Sequence, residues 1–238
     1  MALYVYAITA SDHPLDLEGM SGVGSRSSPV RSVTAGPLCA VVSDISEEIR
    51  PKRRDLLTHQ DVQERLMRDG TVLPLQFGYT ATDDATVQQV LERDADIHLA
   101  SLKRLDGCSE YALRASQDED VLLSQILRET PEAHELNERI RAGDQDPQLP
   151  MALGQIVAAQ VRQRQEALAS GLVEALVPFA REHSVHPATG DDFLNVSLLV
   201  PQGREEDFLT AQASLAQQLE GGIDCRLSGP LPPYSFVQ

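Results

Sequence analysis

The residues through which this chain of 238 could do chemistry are six histidines, three cysteines and a few glycine–serine strings. Gly22-Val23-Gly24-Ser25-Arg26 sets two glycines beside serines, a pattern that could cradle a phosphate on backbone N–H groups. A Walker A loop needs GxxxxGK[ST] opening a helix, and no such string is present. The dinucleotide fingerprint needs a third glycine three residues on, where the chain has Ser27. Gly19-Met20-Ser21-Gly22-Val23 approaches the GxSxG nucleophile elbow but lacks its last glycine and a strand leading into it. His183 and His186, three apart, would share one face of a helix and could hold a metal. They fall instead where a helix ends and a strand begins, with no carboxylate motif beside them. His59 lies on the apolar face of its helix, the place of a satisfied core histidine, and His98 sits in another amphipathic helix. Asp118-Glu119-Asp120 lacks the DxDxDG order of a calcium loop and reads as a solvated helix start, where acids favour the macrodipole. The Asn195-Val196-Ser197 sequon lies in a strand. The expectation is therefore no catalytic, cofactor-binding or metal-ligating set, and no enzyme. A hydrolase using Ser21 or His59 stands as the enzymatic alternative, and it requires a buried polar cluster around one of them.

The elements that would position these residues are mixed. Leu3–Ile8 alternates and reads as a strand. Residues 9–37, with three prolines and four glycines scattered through them, read as one long loop-like excursion. Leu38–Ile45 is apolar on both faces and reads as a central strand. Arg53–Asp69 carries Leu56, Leu57, His59, Val62, Leu66 and Met67 at helical spacing and stops at Gly70. Thr71–Tyr79 reads as an extended segment whose Pro74 points to a sheet edge or a bulge. A second amphipathic helix follows the Asp83-Asp84 cap and ends near Gly107. Beyond it come a strand at Glu110–Ala115, acidic helices between Asp118 and Asp146, and a long helix from Met151 to about Arg181. Ser184–Pro187 reads as a short strand and Phe193–Val200 as the clearest one. Glu205–Leu219 reads as a helix with Phe208, Leu209, Leu215 and Leu219 inward, and Ile223–Leu227 as a last strand.

This pattern is α+β with two domains. Residues 1–107 form an N-terminal domain whose element order fits no common superfold. From 108 to 228, with residues 118–146 treated as a helical insertion, the order is the β-α-β-β-α-β of a ferredoxin-like domain. Residues 229–238 form a tail. It ends on Leu231, Tyr234, Phe236 and Val237, with Pro230, Pro232 and Pro233 limiting its unfolded freedom, so it is suited to docking.

Composition narrows the partners. The formal charge is −16, which argues against nucleic acid and against an anionic membrane surface as partners. Cys39, Cys108 and Cys225 form no CxxC pair and read as reduced thiols of a cytosolic protein. The N-terminus MALYVYAITA lacks the basic start of a signal peptide, and no apolar run approaches a membrane span. The 42% hydrophobic content suffices for a core. A strongly acidic chain fits either plain solubility or a partner with basic or apolar surface.

Six strings and one histidine, in order, resemble the gas vesicle protein F/L family (GvpF/GvpL). They are YVYAI at Tyr4–Ile8, LCAVVSDI at Leu38–Ile45, His59 in the following helix, TVLPLQFG at Thr71–Gly78, LDGCSEYALRA at Leu105–Ala115, FLNVSLLVP at Phe193–Pro201 and GPLPPYSFV at Gly229–Val237. The family often carries Arg where this chain has Gln76, so a role for that cation does not carry over. The resemblance implies an N-terminal α+β domain of unusual fold, a modified ferredoxin-like domain with a helical extension, and a tail packing between the domains through Leu231, Pro232, Pro233, Tyr234 and Phe236. It further implies a cytoplasmic, gas vesicle-associated, non-enzymatic accessory protein without cofactors. That protein would bind the small hydrophobic shell protein (GvpA-type), and other accessory proteins, and help nucleate or chaperone the shell. Two partner surfaces are expected: the edge carrying Leu73, Leu75 and Phe77, and the acidic helices of 118–146. A ligand-binding regulatory module of ferredoxin-like type is the alternative.

Overall fold

The structure is a computed structural model and describes residues 2–26 and 28–237; Ser27 of the glycine–serine string and Gln238 of the tail lie outside them. The fold is α+β with two sheets, and the chain divides into two compact units. The first holds residues up to Tyr111, Leu199–Gln202 and Gly229 onward; the second holds Ala112–Leu198 and Gly203–Ser228.

The first unit is built on the five-stranded sheet. Strands β1 (Ala2–Ala10), β2 (Val30–Ala35) and β3 (Leu38–Ile45) run antiparallel, and two-residue strands β4 (Leu73–Pro74) and β5 (Thr80–Ala81) both pair with β1. The order β2-β3-β1-β4 makes β1 and β3 internal, and both faces of each are apolar because both are covered. A bulge between Val5 and Ala7 breaks the alternation, so that Ala7 follows Tyr6 onto the face of Tyr4. Leu3, Val5 and Ile8 point to the other face. Helix α1 (Arg53–Asp69) lays Val62 and Leu66 on the tyrosine face, while α2 (Asp84–Arg93) and α3 (Ala95–Leu105) lay Val87, Leu91, Leu102 and Leu105 on the opposite one.

Two expectations are corrected here. The excursion 9–37 contains strand β2, which closes onto β3 through Gly36-Pro37, with Gly36 at φ 55 as the first residue of a tight hairpin turn requires. The helix expected from Asp84 to Leu105 is two helices. At Asp94 the backbone leaves the helical region (φ −105, ψ 18), and its carboxylate is held by the Arg93 guanidinium at 2.6 and 2.9 Å. Aspartate is a poor helix former, so the break falls where it costs least.

The rest of the excursion is clamped down. The Asp55 carboxylate accepts from Gly24 N at 2.9 Å, Glu47 accepts from Ser25 N at 2.8 Å, and Asp16 pairs with Arg65. Burial works to raise the Asp55 carboxyl, but the Gly24 N–H and the Arg54 guanidinium outweigh it and hold it below the ordinary carboxylate range. Gly22 is a glycine for reasons of space. A Cβ there would lie 2.3 Å from Ser43 Oγ and 2.8 Å from Tyr6 Oη. Gly22→Ala is expected to cost about 1–3 kcal/mol, the usual penalty of overpacking, read as a shift in denaturant midpoint; an unshifted midpoint would show that the loop can lift away freely.

In the second unit, β6 (Cys108–Gln117), which begins in the first unit, leads to α4 (Glu119–Glu129), α5 (Pro131–Arg141) and α6 (Leu149–Leu176). These three helices pack on one another through Leu122, Ile126, Ala133, Leu153, Ile156, Val157 and Val161. Strands β7 (Glu182–Val185) and β8 (Asp192–Pro201), helix α7 (Glu205–Gln218) and strand β9 (Ile223–Leu231) follow. The sheet order is β7-β8-β6-β9. Leu209, expected inward, is exposed on α7, whereas Phe208 is fully buried.

Candidate functional site

The tail and the segment 73–81 meet the same buried core of the first unit. Strand β9 runs on to Leu231, Pro232 and Pro233 are buried, and a 3₁₀ turn follows at Tyr234–Phe236. Phe236 is 4% exposed and joins the core cluster of Leu3, Val5, Leu105 and Cys108. The Glu110 carboxylate, 5% exposed, accepts from Ser235 N at 2.8 Å and from Ser235 Oγ at 2.6 Å. Tyr234 reaches His59, its Oη 3.2 Å from Nε2.

His59 lies at the centre of an aromatic group. Its rings' neighbours are Tyr4, Tyr6, Phe77 and Tyr234, with centroids between 5.7 and 6.5 Å away. Tyr4 Oη is 3.0 Å from His59 Nδ1 and accepts from Gly78 N at 3.0 Å. One proton assignment satisfies the row: Gly78 N–H donates to Tyr4, Tyr4 O–H donates to Nδ1, and Nε2–H donates to Tyr234. Tyr6 Oη accepts from Val23 N at 2.9 Å and bonds Ser43 Oγ at 2.8 Å. Burial pushes the hydroxyls of Tyr4 and Tyr6 up, and that of Tyr234 up to about 12 with help from the charges of Glu110 and Glu64. Burial also pushes the His59 imidazole below its ordinary value, against the opposing Leu75 carbonyl.

The polar cluster required by the hydrolase alternative thus exists around His59, but both imidazole nitrogens are taken by tyrosine hydroxyls that themselves resist ionisation. Ser21 is exposed and bridges to Pro29 instead of joining it. His183 is exposed on β7, and His186, just beyond it, is half-buried with its Nε2 3.1 Å from Ser197 Oγ. Among the described residues no group of three or more His, Cys, Asp or Glu could hold a metal ion.

The neutral His59 has a pH consequence. The folded state refuses a proton that the unfolded chain accepts, so its stabilising contribution is complete above the unfolded value near 6.5 and is lost as pH falls below it. His98 is lowered by burial in the same direction. The melting temperature is expected to fall between pH 7 and pH 5.5, and to fall less steeply in His59→Gln. An identical slope in the variant would remove His59 from the account.

The segment 73–81 places its side chains unequally. Leu73 is 1% exposed in the core, Leu75 packs half-buried against that same cluster, and Phe77 is half-buried against the tyrosine face. Gln76, Gly78, Tyr79 and Thr80 face outward. The backbone continues along β1, with Leu75 N donating to Tyr6 O at 2.9 Å and Val5 N to Tyr79 O at 3.0 Å. The sequence singled out the tail and this segment as candidates. It missed Glu110, which looked like a strand residue of no special kind, and whose partner lies 125 residues away.

Comparison with known proteins gives a consistent family. The model of the gas vesicle synthesis protein GvpL/GvpF family matches residues 2–238. Gas vesicle protein F of Streptomyces sp. (strain CB03234) is 41% identical over 239 residues, covering all of both chains. Gas vesicle protein F of Dolichospermum flosaquae is 26% identical over 99% of this chain and 97% of that protein, and gas vesicle protein L of the same Streptomyces strain is 27% identical over 98% and 92%. The fold is that of the crystal structures of GvpF from Microcystis aeruginosa (TM-score 0.81, 24% identity, 100% of this chain and 99% of that one) and from Anabaena sp. PCC7120 (0.86, 23%, 100% and 98%).

Proposed function

The chain belongs to the gas vesicle synthesis protein GvpL/GvpF family, and from that premise we propose that it is a non-enzymatic accessory of gas vesicle assembly that binds the small hydrophobic shell protein and helps nucleate or chaperone the shell. The match over residues 2–238 is the observation that carries this reading. The physics agrees with it. A shell subunit of the GvpA type is apolar and prone to aggregate, and a partner with a formal charge of −16 keeps a complex dispersed by repulsion between copies. Other accessory proteins of the vesicle are further candidate partners. The work is placed in the cytoplasm, on the growing vesicle. No helix among the described residues is long and apolar enough to cross a membrane. The contact is placed on the segment 73–81, where β4 and β5 lie at the sheet edge with Tyr79 outward.

The test is co-expression of the shell protein with and without this chain, followed by sedimentation. Shell protein is expected to shift into a soluble fraction and to co-purify with the chain. Equal aggregation in both cultures, with no co-purification, would overturn the reading.

A further inference from the structure

Behind the segment 75–81 lies an apolar cavity of about 300 Å³, wholly within the first unit. Its walls include Val5, Ile8 and Ala40 from the sheet and Val90 and Leu91 from α2. One polar atom is buried there without a partner, Nε2 of His98. The volume stands at the lower end of ligand pockets, enough for one or two side chains but small for a cofactor. Two large apolar side chains remain in solvent beside it. Tyr79, at the mouth, is 54% exposed; Ile97, next in sequence to the lining His98, is 60% exposed. The charges at the mouth are already satisfied, Arg93 by Asp94. So nothing here calls for a charged ligand. A pocket with an apolar floor, one unmet hydrogen bond and an exposed apolar rim has the form of a hot spot awaiting a flat apolar surface with one projecting side chain.

We propose that this cavity receives an aliphatic side chain from an uncharged apolar segment of the hydrophobic shell subunit, with His98 Nε2 meeting a backbone amide or hydroxyl of that segment and Tyr79 and Ile97 covered around it. The proposal rests on the reading of the protein as a shell-protein binder. It adds the place and the chemistry of the contact. It also explains a polar atom that the fold itself leaves unmet, since such an atom is costly to bury unless something completes it.

The experiment measures binding of the full chain to immobilised shell protein. Val90→Phe fills the cavity from within, and Tyr79→Ser with Ile97→Ser strips the rim without touching the core. Each is expected to weaken binding roughly tenfold or more, with the rim pair leaving the melting temperature unchanged. Should Val90→Phe lower the melting temperature, the rim pair alone decides. Wild-type binding that survives both changes overturns the pocket while leaving the shell-binding reading intact. A wild-type chain that does not bind shell protein at all overturns both.

Discussion

Ending the chain after Leu231 is expected to lower the melting temperature of the first unit by about 10 °C or more, read by calorimetry, and to open the unit to protease. The loss has separable parts. Phe236 is 4% exposed among core side chains, and deleting a buried phenylalanine ring costs about 3–5 kcal/mol through lost burial and the void left behind. Removing Ser235 takes two donors from a carboxylate that is 5% exposed, and hydrogen bonds to a charged group contribute about 1.5–3 kcal/mol each. Tyr234 leaves His59 Nε2 without its hydroxyl. Against this stands only the entropy regained by a tail that proline already restrains, at Pro232 and Pro233. A domain has about 5–15 kcal/mol in total, so the tail is a large fraction of it. Phe236→Ala tests the burial alone. A double-mutant cycle on Glu110 and Ser235 isolates the polar anchor, with an expected coupling of about 1.5–3 kcal/mol. An unchanged melting temperature and unchanged protease resistance in the truncated chain would overturn the account.

The tail also shows how far the sequence could be read. Its apolar and proline content announced that it docks, because that is a local property. Its partners Glu110 and His59 lie 125 and 175 residues away, and no local pattern links them. The same division runs through the fold. Helix α1 was legible to its ends, Arg53 and Asp69, because its apolar period and Gly70 are local signals. Strand β2 was not, because Pro29 and Gly36-Pro37 crowd a six-residue strand and read as loop punctuation when they are its entry and its hairpin turn. The glycines of the excursion invited a phosphate loop, whereas Gly22 answers to Ser43 and Tyr6, which only the folded sheet brings close. The break at Asp94 hides inside an unbroken apolar period. The extended character of 73–81 was legible, but which of its side chains turn inward was not, because Leu73 pairs with Ile8 and packs in a core that only the folded sheet assembles.

That last point decides how the proposed partner contact is tested. Leu73→Asp is expected to unfold the first unit. The position is 1% exposed among Leu3, Leu38 and Leu105, and a carboxylate there either ionises without a partner or must stay protonated, at a cost of several kcal/mol. Leu75→Asp and Phe77→Asp carry a lesser form of the same fault, since Leu75 packs on that core and Phe77 presses its ring against Tyr4 and His59, with centroids 5.7 Å apart in each case. Loss of shell-protein binding in any of these three would report unfolding as readily as a lost contact. Tyr79→Asp is free of that fault. The side chain is 54% exposed, and the backbone bond from Val5 N to the Tyr79 carbonyl does not involve it. Its effect on stability is expected to stay within about 0.5 kcal/mol, as for ordinary surface changes. A charge placed there would face an apolar partner surface and should weaken shell-protein binding at an unchanged melting temperature. Full binding by Tyr79→Asp, beside a Leu73→Asp chain that melts at the wild-type temperature, would reverse both the inward assignment of Leu73 and the outward role of this edge.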